Sequence, residues 1–77
     1  MNKERRIKLK EITEKLESLL NDLEQVRDDE EDAFYNLPES LQDSTKGLEM
    51  MDILDTLGSI YADLEVSRDE LQEVIEE

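Results

Sequence analysis

The residues best suited to hold a metal ion form one stretch, DDEEDAFYNLPE, from Asp28 to Glu39. Asp28, Glu30, Asp32, Asn36 and Glu39 fall at positions 1, 3, 5, 9 and 12 of a twelve-residue window, the spacing at which an EF-hand loop offers oxygen ligands to calcium. The sixth position decides against that chemistry. An EF-hand needs glycine there for its sharp turn, and this chain has Ala33 inside a helical pattern. Five adjacent carboxylates, Asp28, Asp29, Glu30, Glu31 and Asp32, are instead expected to attract cations diffusely, which relieves their mutual repulsion.

Other chemistries lack their parts. The chain has no histidine and no cysteine, and Ser18, Ser40, Ser44, Ser59 and Ser67 have no evident base to activate them. Carboxylate-bridged dimetal bundles pair inward glutamates with a histidine three residues on, which is absent. No catalytic, metal or cofactor-binding residue is assigned. The reading is of a protein that is not an enzyme.

The elements that carry these residues follow from hydrophobic spacing. Leu9, Ile12, Leu16, Leu19, Leu23 and Val26 recur at intervals of three and four, the a/d seam of a heptad repeat, with Leu20 and Phe34 widening the stripe. Glu30 interrupts it, and Ala33 and Leu37 resume the register. Pro38 lacks an amide donor and should end the helix near Asn36, while Asn36 and Glu39 have the spacing of a capping box for a short helical turn. Asp43, Ser44 or Thr45 can each cap a second helix.

That helix has two overlapping seams: Ile53, Leu57, Ile60, Leu64, Ser67, Leu71 and Val74, beside Met50, Leu54, Leu57, Tyr61, Leu64, Arg68, Leu71 and Ile75. A face this wide can touch two other helices. The expected fold is all-α: an antiparallel two-helix hairpin with helices over about 3–36 and 45–76, joined by a connection over 37–44, the whole chain forming one unit. In the expected register Val26 lies near Leu54, Leu19 near Tyr61, Leu16 near Leu64 and Leu9 near Leu71.

A chain of 77 residues buries little surface by itself, and without cysteine no disulfide can staple it. Two hairpins packed as a dimeric four-helix bundle would cover the wide face, with Met50, Ile53, Leu54, Leu57, Ile60, Tyr61, Leu64 and Leu71 as the dimer interface. A lone hairpin docking into a groove on a larger protein is the competing arrangement.

Charge narrows the partners. The net charge is −14, from 23 acidic and nine basic residues, with six of the basic residues in positions 1–15. A hairpin would lay that basic start along the acidic end, DELQEVIEE. Direct binding to nucleic acid is disfavoured, because most of the surface repels phosphates. A basic protein partner fits better, and rows of carboxylates along a helical rod could imitate a DNA backbone. The plain alternative is that the acidic faces only keep the chain soluble. At the bend, Phe34 and Tyr35 beside the acidic run make a candidate recognition tip with an aromatic anchor and an acidic rim. The more usual role of such residues is to close the end of the bundle, and Tyr35 is expected to be exposed.

MNKERRIKLK is basic without the apolar core of a signal peptide, and no apolar run reaches membrane-spanning length, so a cytoplasmic setting is expected. The opening NKERR, the linker NLPESLQDS and a tail of spaced leucines followed by acidic residues resemble small acidic helical proteins of phages and mobile elements of Gram-positive bacteria. That resemblance implies a setting in the host cell's cytoplasm, where small accessory proteins bind and inhibit host machinery. It transfers no site residue.

Overall fold

The computed structural model describes all 77 residues. Helix α1 runs Lys3–Tyr35, a single turn α2 Glu39–Gln42, and α3 Thr45–Glu76, with no strand. Each start has a local cause. Asn2 Oδ1 accepts from the Arg5 amide at 2.9 Å, and Ser44 Oγ accepts from the Gly47 amide at 3.3 Å. Both satisfy one of the amides that a helix start leaves without a partner. Of the three residues able to cap the second long helix, Ser44 does so; its hydroxyl also donates to the Leu41 carbonyl.

The bend is closed by backbone rather than by the expected capping box. Asn36 is the C-cap of α1, and its amide donates to the Asp32 carbonyl at 3.0 Å. The N-cap of α2 is Pro38, with no side-chain cap; the Leu41 and Gln42 amides donate to its carbonyl at 2.8 and 3.2 Å. Pro38 donates nothing, so its place before the turn leaves no amide wanting. The Gln42 side chain donates to the Leu37 carbonyl at 3.1 Å and ties the turn to the end of α1.

Helices α1 and α3 pack side by side into a rod with Cα extents of 58 × 15 × 12 Å. They run antiparallel: Arg6 Nη1 donates to the Ile75 carbonyl at 3.0 Å, Tyr61 Oη donates to Glu24 at 3.4 Å, and Arg27 lies against Gly58. The register differs from the expected one, which would put Glu24 opposite residue 56 and Arg27 opposite residue 53. The shift is about five residues.

A change of seam accompanies the shift. The inward positions of α1 are Arg6, Leu9, Thr13, Leu16, Leu20, Leu23, Arg27, Glu30, Phe34 and, past its end, Leu37; all are buried or half-buried. They still step by three and four, but Thr13, Leu20, Arg27 and Phe34 replace Ile12, Leu19, Val26 and Ala33. Leu20 is 1% exposed, whereas neighbouring Leu19 is 61% exposed. On α3 the inward line is Gly47, Met50, Leu54, Leu57, Tyr61, Leu64, Arg68, Leu71 and Ile75. This register sets Leu20 level with Leu64, Leu9 with Ile75, and Phe34 with Met50.

Arginine explains why the more polar seam is usable. Arg6, Arg27 and Arg68 are half-buried on the seam, where their aliphatic stems add apolar cover; the Arg6 and Arg27 guanidiniums cross to α3 at Ile75 and Gly58. Arg27 Nη1 pairs with Glu31 at 3.7 Å, and Arg68 Nη2 reaches Asp69 at 3.2 Å and Glu65 at 4.0 Å. All four ion pairs lie within a helix, so the basic start and acidic end of the chain form no direct cross-helix pair.

Candidate interaction surfaces

The acidic run is helical, which settles its geometry. Asp28 to Asp32 all lie within α1. Successive residues turn by about 100° on a helix, so five in a row encircle it rather than forming one ligand cluster. No group of three or more potential metal ligands converges anywhere in the structure. Asp28, Asp29 and Asp32 are exposed, while Glu30 occupies a seam position and Glu31 binds Arg27. The run is therefore divided among solvent, seam and an ion pair.

The two aromatic residues of the expected tip separate. Phe34 is 6% exposed and belongs to the hairpin core; Tyr35 is 66% exposed, its ring edge-on to Phe34 with centroids 5.3 Å apart and planes at 75°. Phe34 thus supports Tyr35 and is not itself available to a partner. This corrects its assignment as a partner-binding residue.

The expected dimer interface also divides. Leu54 is buried, and Met50, Leu57, Tyr61, Leu64 and Leu71 are half-buried along the line that faces α1. Ile53 and Ile60 alone among those eight residues are exposed. The correction has a geometric cause: α3 has apolar residues on both sides of its central leucines, and α1 covers one side.

What remains outside makes two unlike flanks. With Leu20 and Leu54 taken as heptad position a, both helices leave their g positions uncovered: Ile12, Leu19 and Val26 on α1, and Ile53, Ile60 and Val74 on α3. In an antiparallel pair the g positions of the two helices lie on one side and the e positions on the other. The six side chains therefore line one apolar flank, completed by Ala33 and Ser67. Apolar periodicity alone places Ile12, Leu19 and Val26 inside the hairpin, and the structure places them outside. The available signal was the equally regular line through Arg6, Thr13, Leu20, Arg27 and Phe34, obscured by its polar members.

The opposite flank holds Lys10, Glu17, Glu24 and Glu31 of α1, and Met51, Gly58, Glu65 and Gln72 of α3. Lys10, Glu17 and Gln72 line a shallow groove there, and Glu24, Arg27, Gly58 and Tyr61 line a second. In that second groove the Tyr61 hydroxyl is held above its ordinary pKa of 10.0 by desolvation, and by the charges of Glu24 and Glu65. Arg68 acts in the opposite sense and lowers it.

No helix is long and apolar enough to cross a membrane. No protein-family model matches the chain, and neither a curated protein nor a solved structure matches it.

Proposed function

We propose that this chain is a noncatalytic, self-associating interaction module that presents an acidic flank to a basic protein. The observation that carries this reading is the division of the hairpin into an apolar flank and an acidic one, on a chain of net charge −14. The apolar flank suits self-association. The acidic flank, with Glu17, Glu24, Glu31 and Glu65, suits a surface rich in lysine and arginine, such as the groove of a nucleic-acid-handling protein. Carboxylates along a rod 58 Å long could then occupy a site made for a DNA backbone. The resemblance to small acidic proteins of phages and mobile elements supports an accessory, inhibitory role in the cytoplasm of a bacterial host.

The test is capture of proteins from a bacterial lysate on the immobilised chain, across a salt series and with duplex DNA as competitor. A partner released by salt and displaced by DNA is the expected result. Partners insensitive to both would refute the mimic and favour a second reading, a purely structural dimerisation module. The specific support for that reading is the small core, in which Leu20, Phe34 and Leu54 are the only buried hydrophobic residues.

A further inference from the structure

Resting on the reading that the chain self-associates, we infer that a second copy of this chain covers the composite flank formed by Ile12, Leu19 and Val26 of α1 with Ile53, Ile60 and Val74 of α3. This differs from an interface on α3 alone. Both helices contribute matched rows at seven-residue spacing, broken only at Ser67, and the hairpin leaves all six side chains exposed. An interface of this kind joins the same patch on two subunits, as a two-fold dimer requires.

The dimensions fit that occupant. The rod is 58 Å long and 15 Å wide between its Cα extents, and the α3 row from Ile53 to Val74 runs about 31 Å along it, so a second rod of the same length can lie over the whole apolar flank. The need for such burial is equally plain, because only three hydrophobic residues are buried within one hairpin.

Charge selects this flank over the other. Its α1 rim has Lys8 and Lys15 near one end and Asp22 and Asp29 near the other, while its α3 rim includes Asp63 and Glu70. Both signs are present, so a second copy can set lysine against carboxylate. The opposite flank sets Lys10 against Glu17, Glu24, Glu31 and Glu65, with Glu31 and Glu65 already bound to Arg27 and Arg68, so a second copy finds fewer opposite charges to pair with there. Packing through the apolar flank leaves that acidic flank outward on both copies.

The experiment combines sedimentation equilibrium with distance measurement between copies. The unmodified chain is expected to sediment as a dimer, and Leu19→Asp with Ile60→Asp to raise its dissociation constant at least about 100-fold, because each would bury an unpaired charge. Ser67→Cys and Glu65→Cys each give a single labelling site in a cysteine-free chain, two residues apart but on opposite flanks. Neither substitution removes a core side chain, so this second measurement stands even where the aspartate variants unfold. Nitroxide labels at 67 are expected closer between copies than labels at 65. A dimer with the reverse order of distances would overturn the proposed face while self-association stood. A monomer at all accessible concentrations would overturn both.

Discussion

Arg27 of α1 and Gly58 of α3 meet across the hairpin: a Cβ placed on Gly58 would lie 3.4 Å from Arg27 Nε, at ordinary contact distance. Glycine therefore leaves room beside the guanidinium without being required there. Arg27 Nε is itself buried without a hydrogen-bond partner, although Nη1 reaches Glu31.

Two substitutions at this contact should stabilise the protein. Gly58→Ala removes a mid-helix glycine and is expected to add up to about 1 kcal/mol, raising the melting temperature by about 4–8 °C. Arg27→Met replaces an unsatisfied buried donor by an unbranched apolar chain and should add about 1 kcal/mol or more. Thermal unfolding followed by circular dichroism checks both, and a fall in either would contradict the geometry described.

The other glycine should behave oppositely. A Cβ on Gly47 would lie 2.8 Å from the Leu41 carbonyl oxygen and closer still to that of Gln42, both backbone atoms of the turn formed by α2. Gly47→Ala must displace that turn or the start of α3. The expected loss is about 1–3 kcal/mol, measurable by the same unfolding experiment.

Leu20→Ala tests the seam. Leu20 is the most buried side chain, and truncating it should cost about 2–5 kcal/mol, enough to melt much of the helix near room temperature. Thr13 is also buried, and its hydroxyl donates only to the Leu9 carbonyl of its own helix at 2.9 Å. Thr13→Val keeps the shape and removes that hydroxyl, so stability is expected to hold or rise by up to about 1 kcal/mol. Urea unfolding midpoints for the two variants should move in different senses, or only the first should move.

Tyr61 gives a spectroscopic reading of the acidic flank. Desolvation raises its pKa first, followed by the charge of Glu24. In a Tyr35→Phe background, absorbance at about 295 nm should therefore report a Tyr61 titration above its ordinary value. Glu24→Gln should lower the midpoint without restoring the ordinary value, since desolvation persists. The folded state holds this proton more tightly than the unfolded chain. Any stability linked to protonated Tyr61 is thus complete below about pH 10 and lost as pH rises through the shifted value.

Salt should stabilise the chain. Net charge −14 makes self-repulsion the dominant long-range electrostatic effect, and salt shortens its reach from about 30 Å at 0.01 M to about 10 Å at 0.1 M. The melting temperature is expected to rise by several degrees over that interval. An unchanged or falling value would show that local ion pairs outweigh the repulsion.

The two long helices and the bend between them follow from local chemistry alone. Apolar spacing required amphipathic helices, Pro38 required an end to the first, and Asp43, Ser44 and Thr45 each offered a start for the second, of which the fold uses Ser44; each is a local effect of backbone and side-chain chemistry. An exposed Tyr35 was also legible, as was Ala33 in the place where a calcium loop needs glycine. The seam needed tertiary structure. Leu9, Leu16 and Leu23 fit two inward lines equally well, one through Leu19 and one through Leu20, so counting apolar residues favours the line without arginine. Pairing decided otherwise, because only contact between α1 and α3 shows that arginine stems cover the seam and that the helices shift by about five residues. The same choice put Phe34 inside, left Leu19 and Ile60 outside, and separated the apolar flank from the acidic one. Periodicity is local to a helix, whereas the face it buries depends on the side chains that come opposite.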